Sequence, residues 1–138
     1  MHCYGIIRMS SVLHNVNVKK QWKHDELNNA LLSLELRQKQ GLSIHRETVY
    51  SLLRASAQNL EISVIRRLYL LISKSGLLSV SCFGDHLIRL FGSCGCLIEA
   101  DNVFAEVAKP SLFTWNAIIS MHVKFGEAER ALQLGCKM

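Results

Sequence analysis

Apolar residues recur along this chain in short helical stripes separated by glycine. Leu97, Ala100, Val103, Phe104 and Val107 follow the i, i+3, i+6, i+7, i+10 course of one helix face. Ile62, Ile65, Leu68, Tyr69 and Ile72 make a similar stripe earlier, and Trp115, Ile118, Ile119 and Val123 make one later. The last stripe follows Pro110, with Ser111 or Thr114 able to cap its helix and Gly126 able to end it in the left-handed region. Helices of about 11 residues are marginal alone in water, so these must stack on one another to bury their stripes. The pattern predicts an all-α protein, specifically an α-solenoid of helix-turn-helix repeats.

The spacing supports a repeat. Gly41 and Gly76 lie 35 residues apart, each after a predicted helix, while Gly95 and Gly126 lie 31 apart. Ile88 with Ile119 and Ala100 with Ala131 share the 31-residue offset. Leu87 with Ile118, Leu90 with Met121, Val103 with Leu134 and Val107 with Met138 are conservative partners at the same offset. Trp115 and Phe104 are read as packing residues, because function in a solenoid falls to polar positions on the concave surface, chiefly the first helix of each unit.

Composition narrows the picture. The chain has 138 residues, 49% of them apolar and 20% charged, which opposes wholesale disorder. One Pro and eight Gly favour helices over a β-chain cut by many turns. Apolar runs such as Leu68–Ile72 fall far short of the roughly 18 residues that cross a bilayer, so no membrane partner is expected. The net charge of +5 is uneven: residues 1–24 hold Arg8, Lys19, Lys20 and Lys23 without an acid, leaving 12 basic and 11 acidic side chains in 25–138. An acid-free leader with Ser10 and Ser11 has the make-up of an organelle transit peptide. The five cysteines are expected to be reduced and mostly buried. Cys94 and Cys96 are one residue too close for a usual zinc knuckle, and no second pair follows.

Particular stretches carry a family resemblance. Gly84-Asp-His-Leu-Ile-Arg-Leu-Phe-Gly-Ser-Cys-Gly-Cys-Leu-Ile-Glu-Ala-Asp-Asn-Val-Phe resembles a unit of plant pentatricopeptide repeat proteins. Lys109-Pro-Ser-Leu-Phe-Thr-Trp-Asn-Ala-Ile-Ile-Ser continues in that style, and Glu127-Ala-Glu-Arg-Ala-Leu is similar to a unit's second helix. Thr48-Val-Tyr-Ser-Leu-Leu-Arg-Ala and Ile72-Ser-Lys-Ser-Gly76 resemble the long variant unit of the subfamily mixing long and short repeats. The implied frame is a remnant at 25–45, a long unit at 46–80, a short unit at 81–111 and a truncated unit at 112–138. Departures are Leu60, where a turn Gly is common, and Gly135-Cys136 in place of a bulky apolar pair.

The resemblance implies single-stranded RNA binding in an organelle, one base per repeat. The chain would act as an adaptor for RNA-processing or editing proteins, in a mitochondrion or alternatively a chloroplast. By alignment the base-facing positions are Tyr50, Asp85 and Asn116, with Tyr50 better suited to packing. The second reading positions fall at Val80 and Ser111, and the residue against the base's face is Cys82 or Phe113. Asn can donate and accept at a base edge, an aromatic face stacks for about 1–3 kcal/mol per base, and an ionised Asp only accepts.

Catalysis is not expected, nor is any cofactor or small-molecule substrate. Some relatives end in a zinc deaminase with His-x-Glu and Cys-x-x-Cys motifs; His24-Asp25-Glu26 fits the first, but the second is missing from the sequence. Gly92-Ser93-Cys94-Gly95 lacks the Lys of a nucleotide-binding loop. The alternative is a protein–protein scaffold whose groove takes a peptide, favoured by the near-neutral charge of 25–138.

Overall fold

The computed structural model describes residues 23–138, so nearly all of the basic leader, residues 1–24, lies outside the described residues. Within them the chain forms α1 (His24–Lys39), α2 (Arg46–Gln58), α3 (Ile62–Lys74), a 3-10 turn (Leu77–Ser79), α4 (Ser81–Ser93), α5 (Leu97–Glu106), α6 (Leu112–Lys124) and α7 (Ala128–Lys137), with no strand. The protein is an all-α solenoid of helical hairpins. Helix α3 folds back on α2, α5 on α4 and α7 on α6, while α2, α4 and α6 pack side by side in one layer. Helices α1 and α3 pack together in the second layer, and side chains extend that layer to α5.

The helix ends follow from backbone chemistry. Gly95 and Gly126 have φ of +75° and +76°, and Gly41 and Gly76 share this left-handed conformation. Beyond α4, the N–H of Cys96 donates to the carbonyl of Phe91 at 2.8 Å, and beyond α6 that of Glu127 donates to His122 at 2.8 Å. These bonds satisfy carbonyls that a helix end would otherwise leave open. Helix α2 ends without glycine: Asn59 caps it at φ −121°, so Leu60 follows a differently shaped turn.

Packing converts the stripes into one core. Ile65, Leu68 and Ile72 of α3, Leu87, Ile88 and Phe91 of α4, Ala100 and Val103 of α5, and Ile118 of α6 are fully buried. Aromatic pairs cross the seams edge to face: Tyr50 on Phe83, Tyr69 on Phe91 at 5.9 Å, and Phe104 on Trp115 at 4.8 Å. Such pairs contribute about 0.5–1.5 kcal/mol beyond their buried area. Val123 departs from its expected stripe and is exposed. Its counterpart one offset earlier is Gly92, which lies under Met121 of α6; among the described residues nothing covers Val123 in the same way.

Polar seams reinforce the stack. Arg66 of α3 forks onto Glu99 of α5 at 2.7 and 2.9 Å, and the Tyr69 and Ser73 hydroxyls donate to Glu106. Burial, then the Glu106 acceptor, raises the pKa of Tyr69, so the hydroxyl stays a donor. In the other direction Arg67 reaches Glu35 and Asn28 of α1. His122 of α6 is buried, with one ring nitrogen 2.8 Å from Asp101 of α5 and the other 2.7 Å from Glu127 before α7. One imidazole thereby joins three helical elements.

Two glycine substitutions of the same kind should have opposite signs. A Cβ at Gly135 would meet nothing within 4 Å, so Gly135→Ala should stabilise the protein by up to about 1 kcal/mol through helix propensity. A Cβ at Gly84 would lie 2.7 Å from Val107 Cγ2, so Gly84→Ala should destabilise by about 1–3 kcal/mol. Urea denaturation followed by circular dichroism measures both; a shift of the same sign in the two variants would contradict this packing.

Candidate functional site

The first turn of α6 presents the clearest candidate surface. Ser111 caps the helix: its hydroxyl accepts the Thr114 N–H at 3.2 Å, and its own N–H donates to Thr114 Oγ1 at 3.0 Å. This reciprocal box fixes the turn that carries Phe113 and Asn116. Phe113 is 51% exposed and Asn116 is exposed. Three residues apart, they share one side of the helix. An aromatic face beside an amide that both donates and accepts can stack a planar heterocycle and read its edge.

The other expected site residues lie deeper. Asp85 of α4 is partly buried, and its Oδ1 is buried without a hydrogen-bond partner. Burial raises its carboxyl pKa, while a hydrogen bond from Thr114 and the charge of Arg89 oppose that rise. Asp85 and Thr114 therefore meet at the α4–α6 seam, next to the Ser111 cap, whose hydroxyl already serves the helix end. Cys82 is partly buried against the core. Cys94, Cys96 and Cys136 are free thiols, the first two partly buried and the last exposed, so they are less buried than expected. Tyr50 is only 9% exposed and lies edge-on to His86 at 5.0 Å, a packing position. Val80 is partly buried where the 3-10 turn enters α4.

Two cations escaped the sequence reading. Arg54 of α2 and Arg89 of α4 are both exposed and lie 35 residues apart, at the same distance along their helices. That equal spacing was the available signal. His24, in the His-x-Glu sequence, pairs instead with Glu61 at 2.7 Å. Among the described residues, no three His, Cys, Asp or Glu side chains gather where they could hold a metal ion. No described helix is long and apolar enough to cross a membrane.

Comparison with known proteins adds sequence similarity. Residues 113–138, the hairpin of α6 and α7, match the PPR repeat family. The final hairpin is pentatricopeptide-like. A pentatricopeptide repeat-containing protein of Arabidopsis thaliana, named chloroplastic/mitochondrial, is 54% identical over 48 residues, 35% of this chain and 8% of its own length. A second from the same plant is 31% identical over 97 residues, 70% of this chain and 12% of its own length. A third, named chloroplastic, is 42% identical over 52 residues, 38% of this chain and 7% of its own length. The similarities support a plant pentatricopeptide repeat protein, and the chain spans only 7% to 12% of these relatives' lengths.

Asp85 makes a pH prediction. Its folded pKa lies above the ordinary value of 3.8 because burial favours the neutral acid. Its stabilising contribution is thus present below the unfolded value and lost as pH rises through the folded one. Asp85→Asn, a neutral mimic, should be more stable than the parent at pH 7, with the gain vanishing near pH 3. Urea midpoints across that range test this, and a less stable variant at pH 7 would refute it.

Proposed function

We propose that the chain is part of a pentatricopeptide repeat protein that binds single-stranded organellar RNA and positions it for processing or editing proteins, without catalysis of its own. The carrying observation is the exposed Phe113–Asn116 pair on the first turn of the hairpin that matches the family. Phe113 stacks on a base and Asn116 reads its edge. We take the units as 46–80, 81–111 and 112–138 after a remnant at 25–45, the mixed long and short arrangement, with Asp85, Ser111 and Cys82 as the remaining contacts of the short unit and its boundary. The matching family is described as a repeat, which supports a binding role. Names of two relatives include chloroplastic/mitochondrial and chloroplastic, which supports an organelle; a mitochondrion is preferred, with a chloroplast as the alternative.

A peptide-binding scaffold is the rival. Its support is apolar exposure on the last hairpin, where Leu112, Val123 and Leu132 are 62%, 58% and 72% exposed. RNA is favoured because Phe113 stands beside a base-reading amide, a pairing that a purely apolar peptide groove does not call for.

A few nucleotides' worth of contacts offsets little more than the entropy of association. This chain should therefore bind RNA weakly, with a Kd of ~1 µM or higher in ~150 mM salt by fluorescence anisotropy. Asn116→Ala and Phe113→Ala should each reduce crosslinking to RNA, Phe113→Ala by roughly tenfold in affinity. Unchanged crosslinking in both variants would defeat base reading, and nanomolar binding would defeat the argument from repeat number.

A further inference from the structure

The carboxylates of this protein are concentrated at its seams. Glu35, Glu61, Glu99, Asp101, Glu106 and Glu127 each hold a partner on another helical element. Arg66 and Arg67 of α3 are the cations consumed there. Arg54 and Arg89 differ: they are exposed on successive first-layer helices, and neither makes an ion pair or hydrogen bond among the described residues. Near-neutral totals for residues 25–138 thus conceal two guanidinium groups on one layer that are held in no ion pair.

Geometry places that pair together. Tyr50 of α2 and His86 of α4 meet at 5.0 Å across the seam between the two helices. Arg54 follows Tyr50 by one turn, and Arg89 follows His86 by three residues, so each arginine projects from the side of its helix that borders this contact. Both charges reach His86: burial foremost, then Arg89 and Arg54, lower its pKa. A neutral imidazole offers one N–H donor between two cations. Asp85, one turn before Arg89, is the acid within electrostatic reach of that arginine, with no ion pair formed between them.

We infer that Arg54 and Arg89 form a phosphate seat across the α2–α4 seam, with His86 between them, that holds a backbone phosphate of single-stranded RNA. This rests on the RNA reading proposed above and adds to it the group that fixes the strand's path. Guanidinium forks match phosphate oxygens, and two of them on neighbouring helices can converge on one anion. The seat reads charge and not base identity, so it contributes affinity and register while Phe113 and Asn116 contribute preference.

Fluorescence anisotropy with a labelled single-stranded RNA, from 50 to 200 mM salt, tests the seat. Arg54→Gln/Arg89→Gln should weaken binding several-fold at 50 mM salt and reduce the slope of log K against log salt by about 0.7, the value for one phosphate on a single strand. Lys74→Gln removes an exposed second-layer cation and should leave that slope unchanged; an equal loss there would overturn the seat. Far-UV circular dichroism should be unaltered in all three proteins. If the double variant keeps the parent slope while Phe113→Ala loses affinity, the seat is wrong and base reading stands. If the double variant flattens the slope while Phe113→Ala and Asn116→Ala bind as the parent does, the seat stands and base reading is wrong. No RNA binding by the parent chain at 50 mM salt, or displacement by an acidic peptide in preference to RNA, would overturn both.

Discussion

Each helix of this protein carries an apolar stripe that its own length cannot stabilise, and everything else in the fold serves to cover those stripes. Runs of 10 to 16 residues are marginal as isolated helices. Helix α4 shows how the constraint is met: it packs on α2, α3, α5 and α6, so Leu87, Ile88 and Phe91 are sealed on several sides. Toward α7 the cover thins. Val123 and Leu132, on the last hairpin, face outward where an inner hairpin would have a neighbour.

Covering apolar surface fixes the distances at which polar groups meet, and the seams then acquire their chemistry. Arg66 reaches Glu99 from 33 residues away and Tyr69 reaches Glu106 from 37 away, close to the length of one repeat. Exposed ion pairs of this kind contribute little energy individually. Their larger consequence is electrostatic. With six carboxylates held at the seams, Arg54 and Arg89 remain outside any ion pair on the first-helix layer, which gives that layer a character the net charge does not reveal.

The same partition separates the candidate site residues. Phe113 and Asn116 stay outside because the Ser111 cap orients the first turn of α6 and nothing packs over its outer side. Asp85 occupies the related place in α4, yet α6 packs on that helix and the carboxyl is partly buried. Equivalent sequence positions thus differ in chemistry: one amide faces solvent, and one carboxylate sits at an interface with a raised pKa.

Local rules made much of this protein legible. Spacings of three and four residues marked the helical stripes, and glycines marked the left-handed ends of α1, α3, α4 and α6, because both depend on the backbone within a turn or two. Stacking into an all-α solenoid followed from helix length. The fate of a polar side chain did not follow, since it depends on a neighbour some 30 or more residues distant. His122 is the clearest instance: it occupies the position of buried Phe91 in the preceding hairpin, and only Asp101 and Glu127 converging from two directions make its burial intelligible. The sequence alone determined where helices form and why they must stack; tertiary structure decided which charges are neutralised at the seams and which remain to meet a partner, because neutralisation requires proximity in space and not in the chain.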